Sequence, residues 1–305
     1  MSEAALPHAR RPRDPARAAR PKPLPWPWRD RGGRFSWFKA LPFAATLLPG
    51  AVTAGQWALD ELGAEPFTAA IHDTGLWAIR FLAISLAVSP LKRLGEWPRV
   101  LQLRRMLGLA ALGYAVAHLF LYVLDQDFRL LHVAAELLRR NYLTIGLMGL
   151  IGMGVLGWTS TDGSIRRLGR EWKRVHAIVY AVVPLAVVHF FLQSKVDVSE
   201  AVLMGGFFLW LVLWRLLPIT WQARIPALLG LAVVSALGTA AMEYAWYALA
   251  TRVPAERLLW ANLDVSFGLR PAVWVGVLGL AVAVAVAGWR GLRHLRRGGG
   301  GVREH

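Results

Sequence analysis

The sequence predicts an all-α, polytopic membrane protein, a helical bundle with about eight transmembrane helices, and three observations carry that expectation. Its apolar residues, 56% of 305 with 15 Trp among them, are gathered into runs of roughly 20 residues, the length that crosses a bilayer. The connections between those runs alternate between basic and acidic or balanced, the pattern that positive-inside topology produces. Cysteine is absent, which excludes disulfides, thiolate metal ligation and iron–sulfur clusters and leaves histidine as the metal-binding side chain.

Residues 1–40 form an Arg/Pro-rich head, ARRPRDPARAARPKPLPWPWRDRGGRF, that cannot build a core and is expected to be a disordered cytoplasmic tail. No apolar run follows its early charges until about Leu41, so it is a poor secretory signal. Six spans are expected in 41–218, at about 42–59, 74–90, 106–124, 142–158, 175–193 and 200–217, and two more in 219–290, at 226–250 and 271–289. A basic cytoplasmic tail, 291–305, follows. The basic connections PLKRLGEWPRVLQLRR, SIRRLGREWKR, RLLPITWQAR and WRGLRHLRR are expected inside, with both termini. DELGAEPFTAAIHD, SKVDVSE and TRVPAERLLWANLDVSFGLR then lie outside, as does the mixed DQDFRLLHVAAELLRRN. The formal charge of +16 flanks apolar spans, so membrane lipid rather than nucleic acid is the expected partner.

Three histidines fall in stretches otherwise suited to lipid: His118, His176 and His189. An ionisable side chain in a bilayer faces the protein interior and marks an ion path, a proton relay or a cofactor. At about 1.5 Å per residue, His118 lies about 18 Å along the third span and His189 about 20 Å beyond His176, so His118 and His189 share a level near the outer side. Two imidazoles from separate helices at one depth are what six-coordinate haem iron requires, making His118 and His189 the expected axial ligands. His176, thirteen residues before His189, is turned away by about 220° on an ideal helix, although Pro184 can change that phase.

Blander readings compete. A membrane histidine can simply donate a hydrogen bond to a neighbouring helix, and His176 follows RRLGREWKRV, where an interfacial solvated residue is equally reasonable. His72 and His132 in outer connections, and His8, His294 and His305 in the tails, read as surface. Zinc is disfavoured, because no close histidine spacing or intramembrane acid completes a set. Arg104, Arg105, Arg166, Arg167, Arg170, Lys173 and Arg174 converge on the inner ends of the third and fifth spans; topology alone accounts for most of them. The remainder favours an anionic or quinoid ligand, such as a flavin phosphate or a quinone carbonyl, beside His176 and Trp172. No GxGxxG or Walker pattern occurs, so no nucleotide-binding domain is expected.

About half the chain, from Gly63 to Pro218, resembles a known family through TGLWAIRFLAISLAVSPLKRL, LRRMLGLAALGYAVAHLFLYVLD, RRNYLTIGLMGLIGMGVLGWTST and RRLGREWKRVHAIVYAVVPLAVVHFF, in that order. It is similar to the haem-binding membrane subunit of the bacterial periplasmic protein-methionine-sulfoxide reductase system (MsrQ/YedZ), within the ferric-reductase-like transmembrane superfamily. The resemblance implies that His118, His176 and His189 occupy the family's functional histidine positions. It further implies haem b, FMN and the quinone pool, a multi-pass place in the bacterial inner membrane, and a periplasmic molybdopterin-containing methionine sulfoxide reductase as electron acceptor. His176, Arg104, Arg105, Trp172 and Arg174 would form a second haem, quinone or flavin site.

The chain departs from that pattern in its long head, in its last two spans, and in carrying Arg104 and Arg105 where two-haem relatives place another histidine, so one haem is expected. Glu243, flanked by Trp and Tyr, reads as part of an interfacial belt. Two other classes remain open. A ferric or cupric reductase would share the haem core, but the 16 residues after Trp289 are too few for a flavin–nicotinamide module. A haem-free transporter or scaffold would be colourless.

Overall fold

The computed structural model describes residues 26–30, 32–194, 197–262, 264, 266 and 268–298, the last five by backbone only. Most of the expected head (1–25), His8 and His305 lie outside them. The chain divides at Ala44/Ala45 into two units. In the first, the described residues of the head form a local turn. Arg29 and Phe35 form an isolated antiparallel bridge, the Asp30 carboxylate accepts from the Gly32 and Arg34 amides, and Trp26 stacks on Trp28 at 5.0 Å. The Asp-Gly turn chemistry and the aromatics supply what the Arg/Pro composition conceals.

Twelve α-helices follow among the described residues: α1 Trp37–Ala58, α2 Pro66–Leu94, α3 Arg104–Asp125, α4 Leu130–Arg139, α5 Asn141–Trp158, α6 Asp162–Leu168, α7 Glu171–His176, α8 Val179–Ser194, α9 Ser199–Leu216, α10 Ile225–Ala250, α11 Ala255–Ala261 and α12 Pro271–Gly298. The protein is an all-α helical membrane protein. Seven of its described helical segments are long and apolar enough to cross a bilayer, one fewer than the eight expected. The difference is α1. It forms as a 22-residue helix, but Lys39, Pro42, Thr46, Pro49, Thr53 and Gln56 dilute its apolar character below that of the other seven.

The central helix is α2, whose Leu76, Ile79, Phe81, Leu82, Leu86 and Val88 are buried. It packs along α3 and against α9, while α5 packs along α8 and α10 along α12. Outward-facing Leu109, Val116 and Phe120 on α3, and Met148 and Ile151 on α5, are exposed; on a spanning helix such residues meet lipid. The expected fifth span is broken. Helix α7 ends at His176, a two-residue turn follows, and α8 begins at Val179.

Candidate functional site

Helices α2, α3, α5 and α8 enclose a cavity of about 430 Å³ that both His118 and His189 line. Its walls are Leu76, Ile79, Leu82, Leu147, Leu150 and Met153 along the middle of the helices, with His72, Tyr122, Asp125 and Gln193 toward one end of them. A volume in this range suits a small-molecule or cofactor pocket.

The two imidazoles come from different helices, one on α3 and one on α8, with ring centroids 6.2 Å apart and planes at 88°. His118 Nδ1 lies 2.7 Å from the Ile71 carbonyl oxygen, and His189 Nδ1 lies 2.8 Å from that of Tyr142. A carbonyl only accepts, so each Nδ1 carries the proton and each Nε2 keeps an unprotonated lone pair. Fixing the tautomer through the far nitrogen is the outer-shell arrangement that metal-ligating histidines use. Imidazole nitrogens bond a first-row metal at about 2 Å, so adding about 1.1 Å from nitrogen to ring centre on each side gives about 6 Å between centroids. The observed separation fits one metal centre between the rings. Iron porphyrin therefore suits the donor set, the spacing and the apolar walls.

His176 is elsewhere, toward the opposite end of the helices. Trp172 stacks on it at 3.8 Å, its Nδ1 lies 3.2 Å from the Trp172 carbonyl, and its Nε2 lies 3.4 Å from Ser160 Oγ. Trp172 Nε1 donates to Thr159 O at 2.9 Å. Arg105 donates to Ser160 O at 3.0 Å and to Asp162 at 2.7 Å. Arg105, Trp172 and His176 are thus gathered on the turn after α5. Arg104 lies within electrostatic reach of His176 and Arg215. Arg174 is not brought in; its guanidinium pairs with Glu171 at 2.9 Å and is 81% exposed.

Several participants escaped the sequence reading. Gly75 and Gly146 lie against the rings of His118 and His189. Arg215 donates to Leu86 O, a carbonyl of α2 whose intrahelical donor is missing because residue 90 is proline. That proline was the available signal. Glu243 is also not an exposed belt residue. It is 1% exposed and paired with Arg270, because its position on α10 faces the junction with α12. His72 and His132 are surface residues, near Glu200 and Glu136 respectively. Among the described residues, no group of three or more His, Asp or Glu could hold a metal ion by itself.

Residues 74–187 match the ferric reductase like transmembrane component family. Over 184 residues, 58% of this chain and 84% of the relative, the sequence is 41% identical to the protein-methionine-sulfoxide reductase heme-binding subunit MsrQ of Xanthomonas oryzae pv. oryzae. It is 37% identical over 166 residues (54% and 77%) to the protein of that name from Caulobacter vibrioides. Over 193 residues (63% and 87%) it is 37% identical to the one from Brucella ovis. No solved structure gives a significant match. With a relative at this identity covered over most of its length, and with the same transmembrane core matched, the chain belongs to the MsrQ family of protein-methionine-sulfoxide reductase heme-binding subunits.

Proposed function

We propose that the chain is a haem b membrane subunit that delivers electrons from the quinone pool, directly or through FMN, to a periplasmic molybdopterin-containing methionine sulfoxide reductase. The observation that carries this reading is the His118/His189 pair: two rings 6.2 Å apart, each with its Nδ1 anchored on a backbone carbonyl, facing one apolar cavity. A bound haem would supply reversible one-electron iron chemistry.

The chain's own residues set the conditions for that chemistry. The Ile71 and Tyr142 carbonyls keep the proton of each neutral imidazole on Nδ1, which leaves Nε2 free to ligate. Leu76, Leu82, Leu147 and Leu150 give the pocket apolar walls. At the inner end, Arg105 and Arg104 offer positive charge to a flavin phosphate or a quinone oxygen, Trp172 offers a stacking face, and His176 Nε2 can accept a proton released there. The basic connections beside these residues favour a cytoplasmic position for that end in a bacterial inner membrane, with both termini inside if α1 crosses as an eighth span. The outer end, including α4 with His132 and Glu136, would dock the reductase.

An absorption spectrum of detergent-purified protein, as isolated and after dithionite, tests the reading. His118→Ala and His189→Ala should each abolish the haem bands at unchanged helix content, and normal bands in both would defeat the assignment. Arg105→Ala and His176→Ala should keep the bands but weaken quinol or flavin binding by about tenfold or more, since a charge-assisted hydrogen bond contributes about 1.5–3 kcal/mol. Unchanged haem reduction kinetics in both would remove the inner site.

A further inference from the structure

The two candidate ligands are held by one device used twice. The carbonyl that accepts from His118 Nδ1 belongs to Ile71, four residues before Gly75, and the one that accepts from His189 Nδ1 belongs to Tyr142, four residues before Gly146. In a helix each carbonyl already accepts from the amide four residues on, and its second lone pair is reachable only where neighbouring side chains leave the backbone bare. Glycine at that fourth position bares it. A methyl added at Gly75 would stand 2.9 Å from His118 Nδ1 and 3.1 Å from its Cε1; one added at Gly146 would stand 2.7 Å from both Nδ1 and Cε1 of His189. These are the ring atoms at the hydrogen bond itself.

The numbering repeats with the geometry. Histidine and carbonyl are 47 residues apart in both cases. One offset of 71 residues carries Ile71 to Tyr142, Gly75 to Gly146 and His118 to His189. It also carries AVAH at 115–118 onto AVVH at 186–189, and Arg105 onto His176. The hairpin α2–α3 thus corresponds to α5–α8, with the cavity between them.

We propose that Gly75 and Gly146 are equivalent positioning residues of a duplicated hairpin. By baring one carbonyl each, they seat His118 and His189, fix each ring's rotation and tautomer, and set the crossed planes. The consequence for iron rests on the haem reading above, whereas the seat itself is a property of the protein alone.

The full-length chain with Gly75→Ala or Gly146→Ala tests this. Gly113→Ala and Gly154→Ala serve as controls, because a methyl at either meets nothing within 4 Å. Histidine-¹⁵N spectra of the haem-free chain should show a single Nδ1–H tautomer for both rings in the parent and controls. Each seat variant should lose it for its own histidine only. In the haem-loaded chain, crossed imidazole planes give a strongly anisotropic low-spin ferric EPR signal. The seat variants should shift its lowest-field feature or lower the haem-to-protein ratio, at unchanged helix content. Parent-like ¹⁵N spectra in both seat variants would overturn the proposal whatever the iron does. If His118→Ala and His189→Ala keep haem while the seat variants lose their tautomer, the seat stands and the haem reading falls.

Discussion

Arg215 is a cation inside a spanning helix whose role is set by a proline on another. Pro90 cannot donate to Leu86 O, four residues back in α2. Arg215 Nη2 donates to that carbonyl at 2.5 Å and Nη1 to Leu211 O at 2.6 Å. Arg215→Met should cost about 1–3 kcal/mol by leaving the carbonyl unpaired. Adding Pro90→Ala restores an amide at residue 90, so the double variant should recover much of the loss. Thermal unfolding in detergent measures both, and a strictly additive double variant would refute the pairing. The histidines were legible in the sequence, as ionisable side chains stand out in apolar runs. The glycines beside them were not, because Gly is common in spanning helices and only the packing of the neighbouring helix distinguishes Gly75 from Gly113.

Helix α4 shows what an element owes to one carboxylate. It turns Leu130, Leu131 and Leu138 outward and buries only Val133, an amphipathic arrangement suited to lying in a membrane interface. Glu136 ties it to its neighbours, accepting from Tyr122 Oη at 2.9 Å and pairing with Arg140 at 2.7 Å. The Tyr122 hydrogen bond foremost, then Arg140 and His132, hold the Glu136 carboxyl below its ordinary value of 4.5. A depressed carboxylate stabilises the fold above its unfolded-state value, and that contribution is lost as pH falls through the lower, folded-state one. Amide protection in 130–140, measured against the intrinsic exchange rate at each pH, should therefore fall on the acid side of pH 4.5, and Glu136→Gln should abolish that fall. An equal acid loss of protection in the variant would show that Glu136 is not the tie. Most spans were legible to within a few residues, because apolar runs record them directly. The break after His176 was not, since the residues on both sides of it, in VHAIVYAVVPLAVVHFFL, are apolar enough to read as one continuous span. Pro184 announced a disturbance, but it falls at Ala177–Ile178, upstream of the carbonyl that proline leaves without its donor.

At the scale of the whole molecule, the added helices are separable from the site. Every residue lining the cavity lies between Thr68 and Ser194, whereas α10 and α12 pack mainly on each other and on α9, reaching the site helices through Trp246 on Phe191 at 5.2 Å and Arg293 paired with Glu96. Their contacts are close: a methyl at Gly206 would meet Thr239 Oγ1 at 2.4 Å and Val275 at 2.6 Å, and buried Glu243 is bound to Arg270 ahead of α12. The relatives match only 54–63% of this chain, over 77–87% of their own length, so most of a relative's length is accounted for without the remainder of this chain. A chain ending at Arg224 should keep the parent haem-to-protein ratio and absorption maxima. It should also unfold at lower temperature, because Gly205, Gly206 and Phe208 on α9 lose the helices that cover them. A milder variant separates covering from folding: Gly206→Ala in the full chain should lower stability by about 1–3 kcal/mol through overpacking while leaving the spectrum unchanged. Should the shortened chain be colourless with its helix content intact, or Gly206→Ala shift the haem bands, then α10 and α12 help to shape the cavity.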